Sequence, residues 1–545
     1  MSHVDELVLI ALLVGAVVAP RLGDRWFASV EGLASGFAGR KILVVLVVGL
    51  TAIFARLTLL GLLPVPAPEV HDEFSYLLAA DTFTHGRLAN PPHPMWMFFD
   101  TFQVLQHPTY ASKYPPAQGA VLAVGQLLGY PWIGVLLSMA VMTAAMTWML
   151  QGWFPAEWAL FGAVVVLARF DLFSYWMNSY FGGAVAATGA ALALGAFPRI
   201  IHRQRARDSL LLGIGAALLA NSRPLEGFVF CLPVAIALAF WLFSKTSPTL
   251  GITGPRVLVP ALCVLALIVL LTGYYNWRVT KNVFLFPEAL ALQQYENMPL
   301  LAWQPQNPPL HYSNPQFEDF FSVRMRSRYP PTWDGWKHRS WQRCGAWWHF
   351  FLGGALSIPF LALPWVLRDR QMRLPLIQFC LGAAGLLAVI FFEPHYAAPL
   401  TATLLLLLVQ AMRHLRRWSC NGRPIGIGLS RVVVLAVLAG VPLFAVETIR
   451  TGPQDEPWSV SRAHMVKQLE STSGLHLVIV RYGAQHTVDD EWVYNAADID
   501  HSKIVWAREI PGRDVQPLLS YFRNRNVWLL EGDASPPRLE PYLGR

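Results

Sequence analysis

Charged side chains are scarce in this sequence. Lys, Arg, Asp and Glu make up 14% of 545 residues, where an average soluble domain carries about 25%. Apolar residues reach 54% and gather in several runs of membrane length. An ordinary soluble enzyme is therefore excluded, and the class is an integral membrane protein with many spans. Cysteine is also sparse, at five residues. Cys231, Cys263 and Cys380 lie inside apolar runs, where cysteine acts as a small hydrophobe; Cys344 and Cys420 lie near run ends. No pair has CxxC spacing, so neither a zinc site nor a disulfide framework is supported. His71, His93, His107, His311 and His395 lack HxxxH or HExxH spacing. No metal site is assigned; a bound divalent ion is the weaker alternative, with His71 and Asp72 as its ligands. The net charge is +8, but no basic stripe interleaved with aromatics appears, which argues against a nucleic-acid partner.

What is present is a series of apolar runs separated by loops of alternating charge. A short run covers 7–20, and a stronger one about 42–63. Others lie near 118–129, 131–150, 157–169, 181–197, 209–221, 227–243, 256–275, 346–366, 374–392, 396–412 and 426–446. The expected fold is an all-α polytopic membrane protein with about 11–13 transmembrane helices. The densest basic clusters are 21–41, "RIIHRQRAR" (199–207), "RDRQMR" (368–373) and "RHLRRW" (413–418). Placing 21–41 in the cytoplasm puts all four on that side, as the positive-inside rule requires. The opposite, outer side then receives the loops 64–117 and 276–345, the "NSRPLEG" turn (221–227), "EPHY" (393–396) and the C-terminal tail. The chain thus divides into 1–41 (hydrophobic segment and cytoplasmic loop), 42–446 (membrane domain) and 447–545. The tail is polar, with strand-like runs at 476–482, 503–509 and 526–532 and helical patterns at 460–471 and 515–523. It reads as a small α/β domain outside the membrane.

The polar chemistry sits on the outer side. "HDEFSYLLAADTFTHGRL" (71–88) follows the first strong run and predicts an amphipathic helix on the outer membrane surface, with Phe74, Leu77, Leu78 and Phe83 on one stripe and Gly86 as its stop. Asp72 and Glu73 at its start suit the helix dipole and N-capping. They also suit a general base that takes a proton from a hydroxyl or amine nucleophile, with Asp72 the stronger candidate. Asp81 reads as a solvated helix residue. In "SKYPPAQG" (112–119), Lys113 precedes an extended Tyr-Pro-Pro step into the next span. There it either meets a lipid phosphate or snorkels at a span end. "NSRPLEG" offers Arg223 as a phosphate clamp, or as one half of an Arg223–Glu226 pair. In "FFEPHYAAPL", Glu393, His395 and Tyr396 face the same side; for His395 a packing role is the alternative. The loop 276–345 is rich in Trp, Tyr and Arg. Most of its tryptophans read as interface anchors, while Arg324, Arg326 and Arg328 could bind acceptor or lipid head groups.

Together, "HDEFSYLLAADTFTHGRLANPPHP", "KYPPAQG", "NSRPLEG" and "EPHYAAP" resemble the C-type membrane glycosyltransferases, in particular the protein O-mannosyltransferase and aminoarabinose-transferase group. The resemblance covers about 40–410. It implies a polyprenyl-phosphate-sugar donor and an envelope acceptor (lipid, glycan or protein). It places the protein in the bacterial inner membrane, with the site, the first-loop helix and the tail in the periplasm. The family's outer-loop acidic base maps onto Asp72, with Glu73 beside it. Its Lys-Pro-Pro step maps onto Lys113, Pro115 and Pro116, with Tyr114 inserted. Donor phosphate binding falls to Lys113, Arg223, His395 and Tyr396, and the substrate cavity to His71, Tyr76, Tyr114, Asn178, Glu226 and Glu393. A second outer-loop acidic residue, common in the family, is not matched securely: "RFDLFSYWMNSYFGG" (169–183) offers only Asp171 and Asn178. The resemblance implies an inverting hexosyl or pentosyl transfer. A transporter or flippase for a lipid-linked or anionic solute is the alternative, and it would place its key charges near the bilayer midplane.

Overall fold

The computed structural model describes residues 13–543 except Thr246, Asn297, Ser313, 451–456 and Ala484. The start of the short 7–20 run lies outside them. Among the described residues, seven helices are long and apolar enough to cross a membrane: Lys41–Thr58, Pro131–Trp153, Gly183–Arg203, Pro224–Leu242, Leu250–Thr280, Arg370–Ala388 and Ile425–Arg450. An eighth span arises if Trp333–Phe351 and Gly353–Arg368, bent by 98°, count as one. The bend falls where Gly353 takes φ +61°, a conformation that favours glycine. Pro116–Leu127, Ala156–Phe170, Ala206–Ala220 and Leu400–Arg416 match further expected runs but are too short to pass that test.

Leu400–Arg416 is the central helix, with every residue from Leu400 to Met412 buried. Pro116–Leu127 and Pro131–Trp153 form a tight hairpin. Proline begins each helix, where its missing N–H costs nothing. Gly125 and Gly134 let the two backbones touch, since a Cβ on Gly134 would lie 2.2 Å from the Val121 carbonyl.

One end of the bundle gathers the basic clusters. Arg416 pairs with Glu31 at 2.7 Å and Arg431 with Asp24 at 2.6 Å. Gln371 donates to the Trp153 carbonyl at 3.1 Å, and Gln151 to that of Lys41 at 3.0 Å. The loops bearing the candidate site meet at the other ends of the same helices. Arg56, at the far end of Lys41–Thr58, donates to Asn178 at 2.9 Å, and Trp132, starting Pro131–Trp153, donates to the Met177 carbonyl at 2.9 Å.

The tail forms a four-stranded sheet in the order β4–β3–β5–β6, with β3 His476–Arg481, β4 Ile504–Arg508, β5 Asn526–Glu531 and β6 Arg538–Pro541. β3 pairs in parallel with both β4 and β5, and β6 closes one edge antiparallel. The first three strands fall where expected; β6 was not anticipated. Helices Trp458–Ser471 and Gln516–Tyr521 accompany them. The apolar run of β3 is buried on both faces, as a central parallel strand requires. Val478 and Val480 pack with Met465, Leu469 and Trp506. Leu477 and Ile479 face the other way and join Leu518, Phe522, Phe74, Leu78, Phe98 and Tyr110 in one core. The tail is thus docked on the first outer loop.

That docking changes the reading of the His71–Thr84 helix. It ends as expected at Gly86 (φ +69°), where the Gly86 N–H reaches the Phe83 carbonyl and the Arg87 N–H that of Thr82. It is not laid out on a surface, however, because most of its residues are buried. Phe74 and Leu78 enter the tail's core, whereas Tyr76 and Ala80 enter that of the span bundle. The helix is a wedge between two bodies, and its apolar residues do not share one stripe. Asp81 is no solvated residue either: it accepts from the backbone N–H of Ala497 at 2.7 Å and from Gln126 at 3.0 Å.

Candidate functional site

The first turn of the His71–Thr84 helix sets two carboxylates apart. Glu73 turns back over the helix start. Its Oε2 accepts from the N–H groups of Glu69 at 2.8 Å and Val70 at 3.1 Å, and its Oε1 accepts from Tyr180 at 2.9 Å. Burial pushes its carboxyl up to about 7, with those three N–H groups pulling it back. Glu73 is therefore committed to holding the helix against the 171–180 loop. Asp72 is half-buried, with the Tyr114 hydroxyl within hydrogen-bonding reach. Its charge is felt by Tyr76, Lys113, Tyr396 and Glu393.

Lys113 follows the second strand of a short hairpin, β1 Val104–Leu105 and β2 Ala111–Ser112. Ser75 ties the helix to this hairpin: its hydroxyl lies 2.7 Å from Ser112 Oγ and 2.7 Å from the Gln103 carbonyl. Tyr76 stacks on Tyr114 with centroids 4.5 Å apart. The ammonium of Lys113 is buried and paired with Glu296, and it lies 5.1 Å from the Tyr114 ring. Burial lowers its affinity for a proton, but Glu296, Asp72 and Glu288 outweigh that and raise it above the ordinary lysine value. The Lys113–Glu296 pair spans 183 residues of sequence.

Arg223 caps Pro224–Leu242, and its carbonyl accepts from Gly227 at 2.7 Å. The preceding Asn221 carbonyl accepts from Ala117, which seats this turn against the Lys113–Pro116 entry. The guanidinium lies 4.0 Å from the centroid of Tyr396. Among the described residues it makes this stack and no ion pair with Glu226. Glu226 acts on Arg223 only through space, as do Tyr76 and Glu288. Burial raises the carboxyl of Glu288, with Lys113 and Arg223 opposing. Burial likewise raises Glu393, reinforced by Asp72 and opposed by Arg328.

His395 is 2% exposed and stacks on Phe181 at 4.5 Å. Its Nδ1 lies 3.1 Å from the Tyr175 hydroxyl, while its Nε2 is buried without a partner among the described residues. Burial, then the charge of Arg223, holds it well below the ordinary histidine range, so the ring is neutral.

The structure brings Asp72, Tyr76, Lys113, Tyr114, Arg223, Glu226, Glu393, His395 and Tyr396 to one end of the bundle. Two other candidates are turned elsewhere. The Asn178 oxygen accepts from Arg56, and its nitrogen donates to the carbonyls of Leu172 and Ser174 at 2.9 Å each. His71 points into the tail: its Nε2 is 2.8 Å from the Val488 carbonyl, and its ring stacks on Phe102 at 4.5 Å. That leaves only Nδ1 for a metal. Among the described residues, no three His, Cys, Asp or Glu side chains group as metal ligands. Asp171 accepts from Thr143 at 2.6 Å inside the bundle. Of the loop arginines, Arg324 pairs with Asp319 at 2.6 Å and Arg326 donates to the Asn307 carbonyl. Sequence reading missed Glu288, Glu296 and Tyr175. The Tyr175-bearing stretch had been singled out, but only for its acidic and amide residues.

No protein-family model matches the chain, and no similar curated protein is found. Several solved structures are similar at low identity, three of which illustrate the range. An Archaeoglobus fulgidus oligosaccharyltransferase tethered with an acceptor peptide is 11% identical over 80% of this chain and 61% of its own, with a TM-score of 0.43. ArnT from Cupriavidus metallidurans, bound to undecaprenyl phosphate, is 14% identical over 91% and 93%, with a TM-score of 0.48. The archaeal oligosaccharyltransferase AglB from Archaeoglobus fulgidus, in complex with an inhibitory peptide and a dolichol-phosphate, is 12% identical over 80% and 62%, with a TM-score of 0.44. This chain therefore spans about six-tenths of the archaeal structures and nearly the whole of the ArnT structure.

Proposed function

We propose that this protein is a membrane glycosyltransferase. It moves a hexose or pentose from a polyprenyl-phosphate-linked donor to an envelope lipid, glycan or protein, on the periplasmic side of a bacterial inner membrane. One observation carries the reading: a half-buried carboxylate, Asp72, shares a helix-end cluster with two cations, Lys113 and Arg223. A base and a phosphate-binding pair are what such a transfer requires.

Asp72 accepts the proton of the acceptor hydroxyl as that oxygen attacks C1 of the sugar. The bond from C1 to the phosphate oxygen breaks on the opposite face, its electron pair leaves with the phosphate, and the configuration at C1 inverts. Lys113 and Arg223 offset the charge that gathers on the departing phosphate. Tyr396 holds the guanidinium of Arg223 in place by stacking, Tyr114 orients Asp72, and Glu73 fixes the helix that carries it. Glu226, Glu288 and Glu393 line the surroundings and balance the cations.

The test is mass spectrometry of envelope glycans and polyprenyl-phosphate sugars in a strain lacking the gene. Loss of one sugar modification, with its lipid-linked precursor accumulating, is expected. Unchanged glycans, with solute uptake by liposomes holding the purified protein, would instead support a transporter.

A further inference from the structure

Tyr175 lies in the 171–180 loop, among aromatic rings. Its ring is 5.2 Å from Phe350 and 5.8 Å from Phe181. Its hydroxyl is 3.1 Å from His395 Nδ1. A phenol is a better donor than acceptor, and the unprotonated nitrogen of a neutral imidazole is a strong acceptor, so the hydroxyl proton goes to Nδ1. A neutral imidazole that accepts at Nδ1 carries its own proton on Nε2. That Nε2 is buried and has no partner among the described residues, in a ring set edge-on at 4.9 Å to Tyr396, which also lies 4.0 Å from the Arg223 guanidinium. A buried N–H without an acceptor is costly, and the missing partner is an acceptor.

We propose that Tyr175 is a positioning residue that fixes His395 as the Nε2–H tautomer, so that Nε2 donates a hydrogen bond to an oxygen of the lipid-linked phosphate held by Arg223. This rests on the donor class given above. It adds a residue that touches no substrate and a defined proton position. It also accounts for a neutral ring beside Arg223: it contributes a directed hydrogen bond without a second buried charge to neutralise.

The test uses the full chain in lipid nanodiscs, titrated with undecaprenyl phosphate and, separately, with undecaprenol, which lacks the phosphate. Tyr175→Phe keeps the ring and removes the hydroxyl. It is expected to weaken binding of undecaprenyl phosphate about tenfold, the scale of one hydrogen bond to a charged acceptor, and to leave undecaprenol binding and the melting temperature unchanged. His395→Gln supplies an amide N–H that needs no tautomer control, so Tyr175→Phe added to it should cause no further loss. ¹⁵N shifts of His395 should report Nε2–H in the wild type and a tautomer mixture in Tyr175→Phe. Wild-type affinity in Tyr175→Phe, an additive loss in the double variant, or equal loss for both lipids would overturn the role of Tyr175. A wild type that does not distinguish the two lipids would overturn the donor class itself, and with it the ligand assigned to Nε2.

Discussion

The Asp81 carboxylate accepts a hydrogen bond from the backbone N–H of Ala497, 2.7 Å away and 416 residues later in the chain. With Gln126 on its other oxygen, it joins the tail, the first outer loop and the span bundle at one point. Asp81→Ala should loosen the tail by roughly 1.5–3 kcal/mol, the value of a hydrogen bond to a charged acceptor. Hydrogen exchange in β3 would report this as faster exchange. Asp81→Asn, which retains an acceptor, should show a smaller effect.

Asp72→Asn should abolish sugar transfer. A general base commonly supplies about 10²–10⁴ in rate, and the amide cannot take the proton. Asp72 makes no backbone-capping bond of the kind Glu73 makes, so the melting temperature should stay within a degree or two of wild type. Near-normal turnover in this variant would remove Asp72 as the base. Tyr114→Phe should give an intermediate loss, since it frees the carboxylate without deleting it.

Glu296 already holds the Lys113 ammonium, so under the proposed function it competes with the donor phosphate for that cation. Glu296→Gln is expected to tighten binding of undecaprenyl phosphate several-fold and to lower the stability of the ligand-free protein, because a buried ammonium then lacks its counterion. Lys113→Ala should weaken the same binding. Titration with undecaprenyl phosphate, alongside melting curves with and without it, separates the two effects.

Asp100 lies buried where the loop meets the tail. Burial pushes its carboxyl up to about 7, Arg508 opposing and Glu491 adding to the rise. In the unfolded chain it titrates at the ordinary value of 3.8. The folded state therefore holds this proton more tightly. The stability it contributes is full below 3.8 and is lost as the pH climbs to about 7. Asp100→Asn should match wild type near the acid end of that window and melt higher than wild type at pH 8, measured on the purified full chain.

Gly134→Ala should prevent the Pro116–Leu127 and Pro131–Trp153 hairpin from closing. The added methyl would sit 2.2 Å from a backbone oxygen, and backbone atoms cannot yield as a side-chain tip can. Loss of the monodisperse species on size exclusion is the expected readout.

Sequence alone reached the parts of this molecule governed by local rules. Pro116 announces a helix start, Gly86 a helix end, and "HLVIVRY" a strand. It failed where contacts are long-range. Nothing periodic links Lys113 to Glu296, which comes from an irregular loop with short helical turns. Phe74 and Tyr76 are two positions apart in one helix, yet serve different cores, so a single apolar stripe was the wrong expectation. The span count was blurred for a related reason: helices such as Leu400–Arg416 are wrapped by protein and need not meet the length that lipid demands. Asn178 was placed in the cavity by the resemblance, and its true partner, Arg56, lies at the end of a span whose sequence is otherwise apolar.

The shared core of the first outer loop and the tail also sets an order of assembly. Residues 71–110 leave the ribosome early, with Phe74, Leu78, Phe98 and Tyr110 still lacking half of their apolar neighbours. Those neighbours, among them Leu477, Ile479 and Phe522, follow only after the whole span bundle. The helix bearing Asp72 can reach its final seat only when the tail has been brought to the same end of that bundle. Until then the nascent protein carries an unfinished site, and a truncated chain would carry one permanently.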